Sequence, residues 1–322
     1  MGIRDSIGHV FPNLYFFAHR KYIDARFHAT KDPKKKAIKE YKKRFKLDLN
    51  IDNPHTFYEK VNYLKFNYTN ANSGVMVDKY LVKDFLIKKG YSQYIVKAIA
   101  RYLSFKDFKK DFDKIVASHK QFVVKLAHTS GDVFFFDDGK WRDKKGKKVS
   151  KRFVFACLRH NIKQNYYHHN FEKDYDTLDG SILIEEYISS FQESGMDEYK
   201  FFCNNGEIKM INVVYGRQTG DEVREAFTDA SLKIFDTWQD NKVLKQEDIY
   251  IPNCFEKMVK FSKDVSKSFP MIRVDLLTNG NQLYFCEFTF YDCAGMNVFY
   301  PLEKNYEIGS LFNIEDIIYE RI

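Results

Sequence analysis

The chain has 322 residues, with 52 Lys and Arg against 44 Asp and Glu and a formal net charge of +8. That length suits two or three domains of roughly 100–200 residues each. No run approaches the roughly 18–20 apolar residues of a membrane-spanning helix, no apolar stretch near the start makes a signal peptide, and scattered cysteines at 157, 203, 254, 286 and 293 without a C-x-x-C argue against a thiolate zinc site and suit reduced thiols.

The charge is uneven. The first 50 residues hold thirteen basic and five acidic residues, and the remaining 272 hold 39 of each. This basic N-terminus can meet an anionic membrane, an acidic polysaccharide or nucleic acid, or can be a solvated helix face. Gly2 with Ser6 loosely matches a myristoylation start. Residues 8–29 interleave aromatic and basic residues and read as helix. Asp32-Pro33 starts a second helix with a narrow stripe of Ile38, Tyr41 and Phe45. Thr56 and Glu59 form a capping box before Phe57, Val61 and Leu64. Asp78 is an N-cap candidate for a helix that Gly90 ends, and residues 94–103 are expected to continue as helix.

At about residue 121 the pattern changes from helices to strands. Gln121–Leu126 and Val133–Phe136 read as strands around the turn His128–Asp132. Residues 137–151 read as a Lys/Gly-rich loop, 153–164 as helix and Ile182–Tyr187 as strand. Glu198–Cys203 and Ile208–Tyr215 make a hairpin around Asn204-Asn205-Gly206. Residues 253–267 make an amphipathic helix, and a second hairpin joins 271–277 to 284–290. The class is α+β with a helical N-terminal region.

Strand alternation places Arg273 and Asp275 on one face, and Glu287 and Thr289 on one face of the next strand. Two carboxylates beside a cation suit Mg²⁺ carrying a nucleotide phosphate; a half-exposed hairpin with a salt bridge is the plain alternative. Lys125 lies inside an apolar strand, where burial of an ammonium calls for an anion such as phosphate, unless it snorkels at a sheet edge. The turn at Ser130-Gly131 offers backbone N–H groups nearby. Lys79 follows the N-cap Asp78, a place that favours anions, and is otherwise a surface lysine. Glu185, Glu186, Tyr187 and Ile188 end a strand where a nucleotide's adenine and ribose can hydrogen-bond. Glu198 and Lys200 share one strand face. No G-x-x-x-x-G-K-[ST], G-x-S-x-G or G-x-G-x-x-G after a strand is present, so a Walker-type NTPase, a covalent hydrolase and a dinucleotide fold are not supported.

In order, Asp78-Lys79, Phe122-Val-Val-Lys125, Ile184-Glu185-Glu186-Tyr187, Glu198-Tyr-Lys200, Arg273-x-Asp275 and Glu287-x-Thr289 resemble the ATP-grasp superfamily. With Asn53–Lys60 and Gly295 added, the chain looks like the TupA-like ATP-grasp proteins of bacterial surface-polysaccharide gene clusters, over about residues 40–310. The resemblance implies an ATP-grasp fold, two α+β subdomains clamping a nucleotide. It would comprise a basic helical region (1–75), a helical linker (76–120), subdomain 1 (121–190) and subdomain 2 with the metal site (191–322). It implies that Lys79 and Lys125 hold ATP phosphates, that Glu186 through Ile188 meet adenine, and that Glu198 bonds the ribose. Lys200 would approach the terminal phosphates, Asp275 and Glu287 would coordinate Mg²⁺, and Arg273 would steady the transferred phosphoryl group. Thr289 stands where many ATP-grasp enzymes carry Asn, and the TupA-like pattern carries Thr there.

The activity so implied is an ATP- and Mg²⁺-dependent carboxylate–amine ligase working through an acyl phosphate on a uronic-acid glycan or its precursor. The expected location is cytoplasmic, with a peripheral membrane contact through the basic N-terminus as an open question and no nucleic-acid partner. A phosphotransferase acting on a sugar or lipid-linked acceptor is a rival within the fold. A glycan- or membrane-binding protein with a degenerate nucleotide site is a rival outside it.

Overall fold

The computed structural model describes residues 8–70, 73–188, 196–217, 222–315 and 317. The Gly2 and Ser6 start lies outside them. Helix α1 (Pro12–His28) opens on a proline, and α2 (Pro33–Phe45) is capped by Asp32, which accepts from the Lys35 backbone N–H. Helix α3 (Phe57–Asn67) begins at the expected capping box of Thr56 and Glu59. Helix α4 (Val82–Lys88) stops before Gly90, which has φ +81°. Then follow β1 (Ala98–Tyr102), α5 (Phe105–Ser118), β2 (Gln121–Leu126), β3 (Val133–Asp137), β4 (Lys140–Asp143), β5 (Lys148–Val149) and α6 (Lys151–Asn161). The chain continues through β6 (Ile182–Glu186), β7 (Asp197–Asn204), β8 (Glu207–Tyr215), β9 (Arg224–Thr228), β10 (Lys242–Val243), α7 (Phe255–Ser266), β11 (Ile272–Thr278), β12 (Leu283–Thr289) and α8 (Lys304–Ser310). Among the described residues no helix is long and apolar enough to cross a membrane.

Two compact units divide the chain: residues 1–31, 71–189 and 218–220 form one, and 32–70, 190–217 and 221–322 the other. The basic N-terminal stretch is therefore shared, with α1 in the first unit and α2 in the second.

The first unit is built on a six-stranded sheet in the order β1-β6-β2-β3-β4-β5, antiparallel throughout. Strand β2 alternates cleanly. Phe122, Val124 and Leu126 are buried with Phe108 and Phe112 of α5 and Val154, Cys157 and Leu158 of α6, which leaves Val123 and Lys125 on the other face. Two readings need correction. Residues 98–102 are a strand, not a continued helix: Ala100 pairs with Ile184 and Arg101 with Leu183 at the sheet edge. Five alanine-containing residues are too few to show a period, and pairing with β6 overrides their helix propensity. Residues 137–151 are not a loop but carry β4 and β5. Asp138 (φ 42°) and Gly139 (φ 84°) make the two-residue turn between β3 and β4, the left-handed Asp-Gly signal of a hairpin.

The second unit holds a sheet in the order β10-β9-β8-β7-β11-β12, antiparallel except where β10 runs parallel to β9. The expected hairpin of β7 and β8 turns through Asn205 (φ 50°) and Gly206 (φ 85°). On one face, Phe255 of α7 lies against Tyr199 and Phe201. On the other, Phe57, Tyr58, Val61 and Leu64 of α3 join Phe202, Met210, Phe227 and Phe299 in one core. Lys200 sits on the same face as Phe202, two residues back along β7, beside Asp275 of β11.

Candidate functional site

In the first unit a buried carboxylate sits between two lysines. Lys125 Nζ lies 2.5 Å from one oxygen of Glu185, and Lys83 Nζ lies 2.5 Å from the other. Strand geometry explains the first pair, because β2 and β6 are neighbours and both side chains leave the same sheet face. Lys83 reaches in from α4 and also donates to the Val96 carbonyl. Burial by itself would raise the Glu185 pKa, but Lys125 and then Lys83 outweigh it and hold the carboxyl below its usual range. Burial lowers the pKa of Lys83 against the pull of Glu185. Lys83 was missed in the sequence; its signal was its spacing of four residues from Lys79, one turn along a helix.

Lys79 precedes α4 by three residues. Its backbone N–H donates to the Ala127 carbonyl and its Nζ donates to the Thr129 carbonyl at 2.5 Å. Asp78 Oδ1 accepts from the backbone N–H groups of Tyr80 and Leu81, so it closes a turn there and not the helix itself. These contacts tie Lys79 to the 128–132 turn, where Gly131 takes φ +103°. A side chain at Gly131 would meet Lys144 Nζ at 3.2 Å, so a second lysine, unremarked in the sequence, hangs over the Ser130-Gly131 turn. At the end of β6, Glu186 is exposed and pairs with Lys97 at 3.2 Å, while its backbone N–H donates to the Lys97 carbonyl. Tyr187 and Ile188 follow it, half-buried.

In the second unit the expected hairpin forms, and its register sets Asp275 opposite Glu287 and Arg273 opposite Thr289. A bulge follows Asp275. Arg273 grips Asp275 with two parallel bonds, Nε to Oδ1 and Nη2 to Oδ2, each 2.7 Å. Its Nη2 also donates to Thr289 Oγ1 at 3.1 Å, and its Nη1 donates to Asp292 Oδ1. Four of the five guanidinium N–H groups are thus bonded within the protein. Burial would lower the Arg273 pKa, but Asp275 and Asp292 together carry it upward. Burial raises the pKa of Asp275, opposed by Arg273 and Lys200. The plain alternative, a half-exposed salt bridge, is half right: the bridge exists, but both its side chains are largely buried.

Lys200 lies directly across from Asp275 on β7 and 3.5 Å from Glu198, and Glu198 also meets Arg217 at 3.1 Å. Asp292 and Arg217 are further residues that sequence reasoning missed. Asp292 stands in the short turn after β12, outside any alternating pattern. Among the described residues no three carboxylate, imidazole or thiolate groups form a ready cation cage. Asp275 and Glu287 are two hard oxygen donors on opposed positions, and each Asp275 oxygen keeps a lone-pair site beyond its bond to Arg273. Such a set fits Mg²⁺, which keeps waters and takes phosphate oxygens beside one or two carboxylates.

The family model described as TupA-like ATPgrasp matches residues 59–313. No curated protein matches the chain. Similar solved structures include D-alanine-D-alanine ligase from Helicobacter pylori, at 18% identity and TM-score 0.43 over 79% of this chain and 68% of that one. They also include D-alanine-D-alanine ligase from Bacillus anthracis complexed with ATP, at 18% identity and TM-score 0.42 over 78% and 68%. Cdc123 from Schizosaccharomyces pombe is a third, at 12% identity and TM-score 0.42 over 77% and 95%.

Proposed function

The chain belongs to the TupA-like ATP-grasp family, and from that premise we propose that it is an ATP- and Mg²⁺-dependent carboxylate–amine ligase. Its carboxylate is carried by a uronic-acid-containing surface polysaccharide or its precursor, and its amine by an amino acid or amino compound. The observation that carries this reading is the opposition of Asp275 and Glu287 across β11 and β12, with Lys200 beside Asp275, in a chain of this family.

The chemistry needs no nucleophilic side chain. A substrate carboxylate oxygen attacks the terminal phosphorus of ATP, giving an acyl phosphate and ADP. The amine nitrogen then attacks the acyl carbon, the C–N bond forms, the C–O bond to phosphate breaks, and an amine proton leaves with phosphate. Asp275 and Glu287 would hold Mg²⁺ by carboxylate oxygens and Thr289 by its hydroxyl, and the bound ion would supply neutralisation of phosphate charge. Lys79, Lys125 and the Ser130-Gly131 turn hold nucleotide phosphates. Glu185 orients Lys125, the backbone of Glu186, Tyr187 and Ile188 meets adenine, and Glu198 meets ribose. Lys200 and the remaining N–H of Arg273 face the charge that develops on the transferred group.

Incubation with ATP, Mg²⁺, uronic-acid glycans and a panel of amines should release ADP and phosphate only when carboxylate and amine are both present. The product gains the mass of the amine less water. A product that gains phosphate instead makes the protein a phosphotransferase, and failure to bind Mg·ATP sinks both readings. Exposed Phe11, Leu14 and Phe17 at and along the start of α1 support a peripheral contact with an anionic membrane at the cytoplasmic side. Sedimentation with vesicles containing phosphatidylglycerol, but not with phosphatidylcholine alone, is the expected result.

A further inference from the structure

Asp292 lies three residues beyond β12, and no motif of the sequence marks it. Its two oxygens have separate tasks. Oδ1 accepts from Arg273 Nη1, and Oδ2 accepts from the Tyr58 hydroxyl at 2.7 Å. Tyr58 is fully buried and in turn accepts from Gln239 Nε2 at 2.7 Å. Burial, then Asp292, raises the Tyr58 pKa far above its ordinary value, so the hydroxyl remains a donor.

The turn that carries Asp292 is held with equal care. Cys293 (φ 49°), Ala294 (φ 54°) and Gly295 (φ 75°) are left-handed in succession. For the two non-glycine residues that costs about 1–2 kcal/mol each, and it persists only where the surroundings enforce it. Helix α3 does so. Asn62 Nδ2 donates to the Gly295 carbonyl at 2.7 Å, and Lys65 Nζ donates to the Ala294 carbonyl at 2.6 Å. Tyr58, Asn62 and Lys65 follow at helical spacing on one face of α3. A Cβ at Gly295 would lie 2.5 Å from Asn62, so the close approach requires glycine. The whole arrangement presents one carboxylate to one guanidinium.

The charge count gives that presentation a purpose. Arg273 alone against Asp275 is a neutral, bidentate pair, and a neutralised carboxylate is a poor ligand for a divalent cation. With Asp292 on its other edge, the same guanidinium serves two carboxylates, and the buried triad keeps one negative charge, a sum that Lys200 and Glu287, opposite in sign beside Asp275, leave unchanged. We infer that Asp292 is a positioning residue of the metal–phosphate site: it takes up part of the charge of Arg273, so that Asp275 retains charge for a divalent cation. This rests on the ligase reading and adds to it a residue that touches neither metal nor substrate.

The test uses the full chain, Mn²⁺ as probe and a non-hydrolysable ATP analogue, with free Mn²⁺ read by electron paramagnetic resonance. Asp292→Asn keeps the shape and removes the charge, and should weaken Mn²⁺ binding about tenfold. Tyr58→Phe lowers stability but keeps the charge, and should leave Mn²⁺ affinity within twofold of the wild type. A merely structural role predicts the opposite pattern, with affinity following the melting temperature. Equal Mn²⁺ affinity in Asp292→Asn, or a loss in Tyr58→Phe as large as in Asp292→Asn, overturns the inference. If Asp292→Asn does not fold, Asp292→Ser replaces it with the same expected loss and the same overturning result. Wild-type protein that binds no Mn²⁺–nucleotide at all overturns the ligase reading instead.

Discussion

Each unit buries a charge triad, and the two triads are opposite in sign. In the first unit Glu185 stands between Lys83 and Lys125; in the second, Arg273 stands between Asp275 and Asp292. One keeps a surplus positive charge and the other a surplus negative charge. Burial makes either surplus costly unless a ligand compensates it. The first triad suits an anion such as phosphate, and the second suits a cation. The comparison teaches that charged residues already engaged in ion pairs can still define a ligand, through the charge their pairs leave over.

The largest test breaks the first triad at its centre. Glu185→Gln leaves two buried ammonium groups with no carboxylate between them, and should cost about 3–5 kcal/mol in denaturant unfolding. Lys125→Met leaves Lys83 with Glu185, so it should cost less stability and instead weaken ATP binding. Equal stability losses from the two variants would show that the triad is a plain ion-pair network with no surplus to offer. Beside the second triad, Glu287→Gln should reduce ATP-dependent turnover roughly 10²–10³-fold with little change in melting temperature. A Glu287→Gln enzyme of wild-type turnover would remove Glu287 from the proposed metal site.

Strand alternation made two members of each triad legible in the sequence and left out the third. Lys125, Glu185, Arg273 and Asp275 lie on strands, where a period of two assigns a face. Their partners come from elements with no such rule. Lys83 reads as one more lysine on a short helix, and Asp292 belongs to a turn whose left-handed residues, Cys293 and Ala294, have no sequence preference for that conformation. Asp138-Gly139 was a different failure, since the hairpin signal was present but the surrounding lysines made the segment look like loop. Strand β1 was invisible for a further reason, because only its pairing with β6 defines it.

Asp174, also in the first unit, sharpens the comparison because no cation pairs with it among the described residues. Burial raises its pKa to about 6, opposed only by the Ser73 hydroxyl, which donates to it at 2.5 Å. A carboxyl whose folded pKa exceeds its unfolded value near 3.9 binds its proton more tightly when folded. Stability therefore rises as pH falls from about 6 toward 4, by about 2 kcal/mol from this group. Glu185 has the opposite sign: its lowered pKa gives stability at neutral pH that is lost only as pH falls below the ordinary carboxylate range. Histidines whose pKa burial lowers, His169 to about 4 among them, pull stability the other way over the same range. The test is therefore the difference between wild type and Asp174→Asn in denaturant titrations between pH 4 and 7, which should grow as pH falls. A difference that does not change with pH would take this effect away from Asp174.

The smallest expected effect separates backbone from site in the β3–β4 hairpin. At Gly139 (φ +84°) no atom lies within 4 Å of an added Cβ, so Gly139→Ala carries only the conformational cost, about 1 kcal/mol. Gly295→Ala would add a collision with Asn62 to that same cost, and so should be clearly worse. Gly139 also belongs to the hairpin that brings Lys144 over Gly131, so one small change reports on two properties. If Lys144 contributes nothing to phosphate binding, Gly139→Ala lowers stability by about 1 kcal/mol and leaves ATP affinity within twofold. If affinity falls further than that at the same stability, Lys144 joins Lys79 and Lys125 among the proposed phosphate-binding lysines. The positive surplus of the first unit is then larger than its triad alone provides.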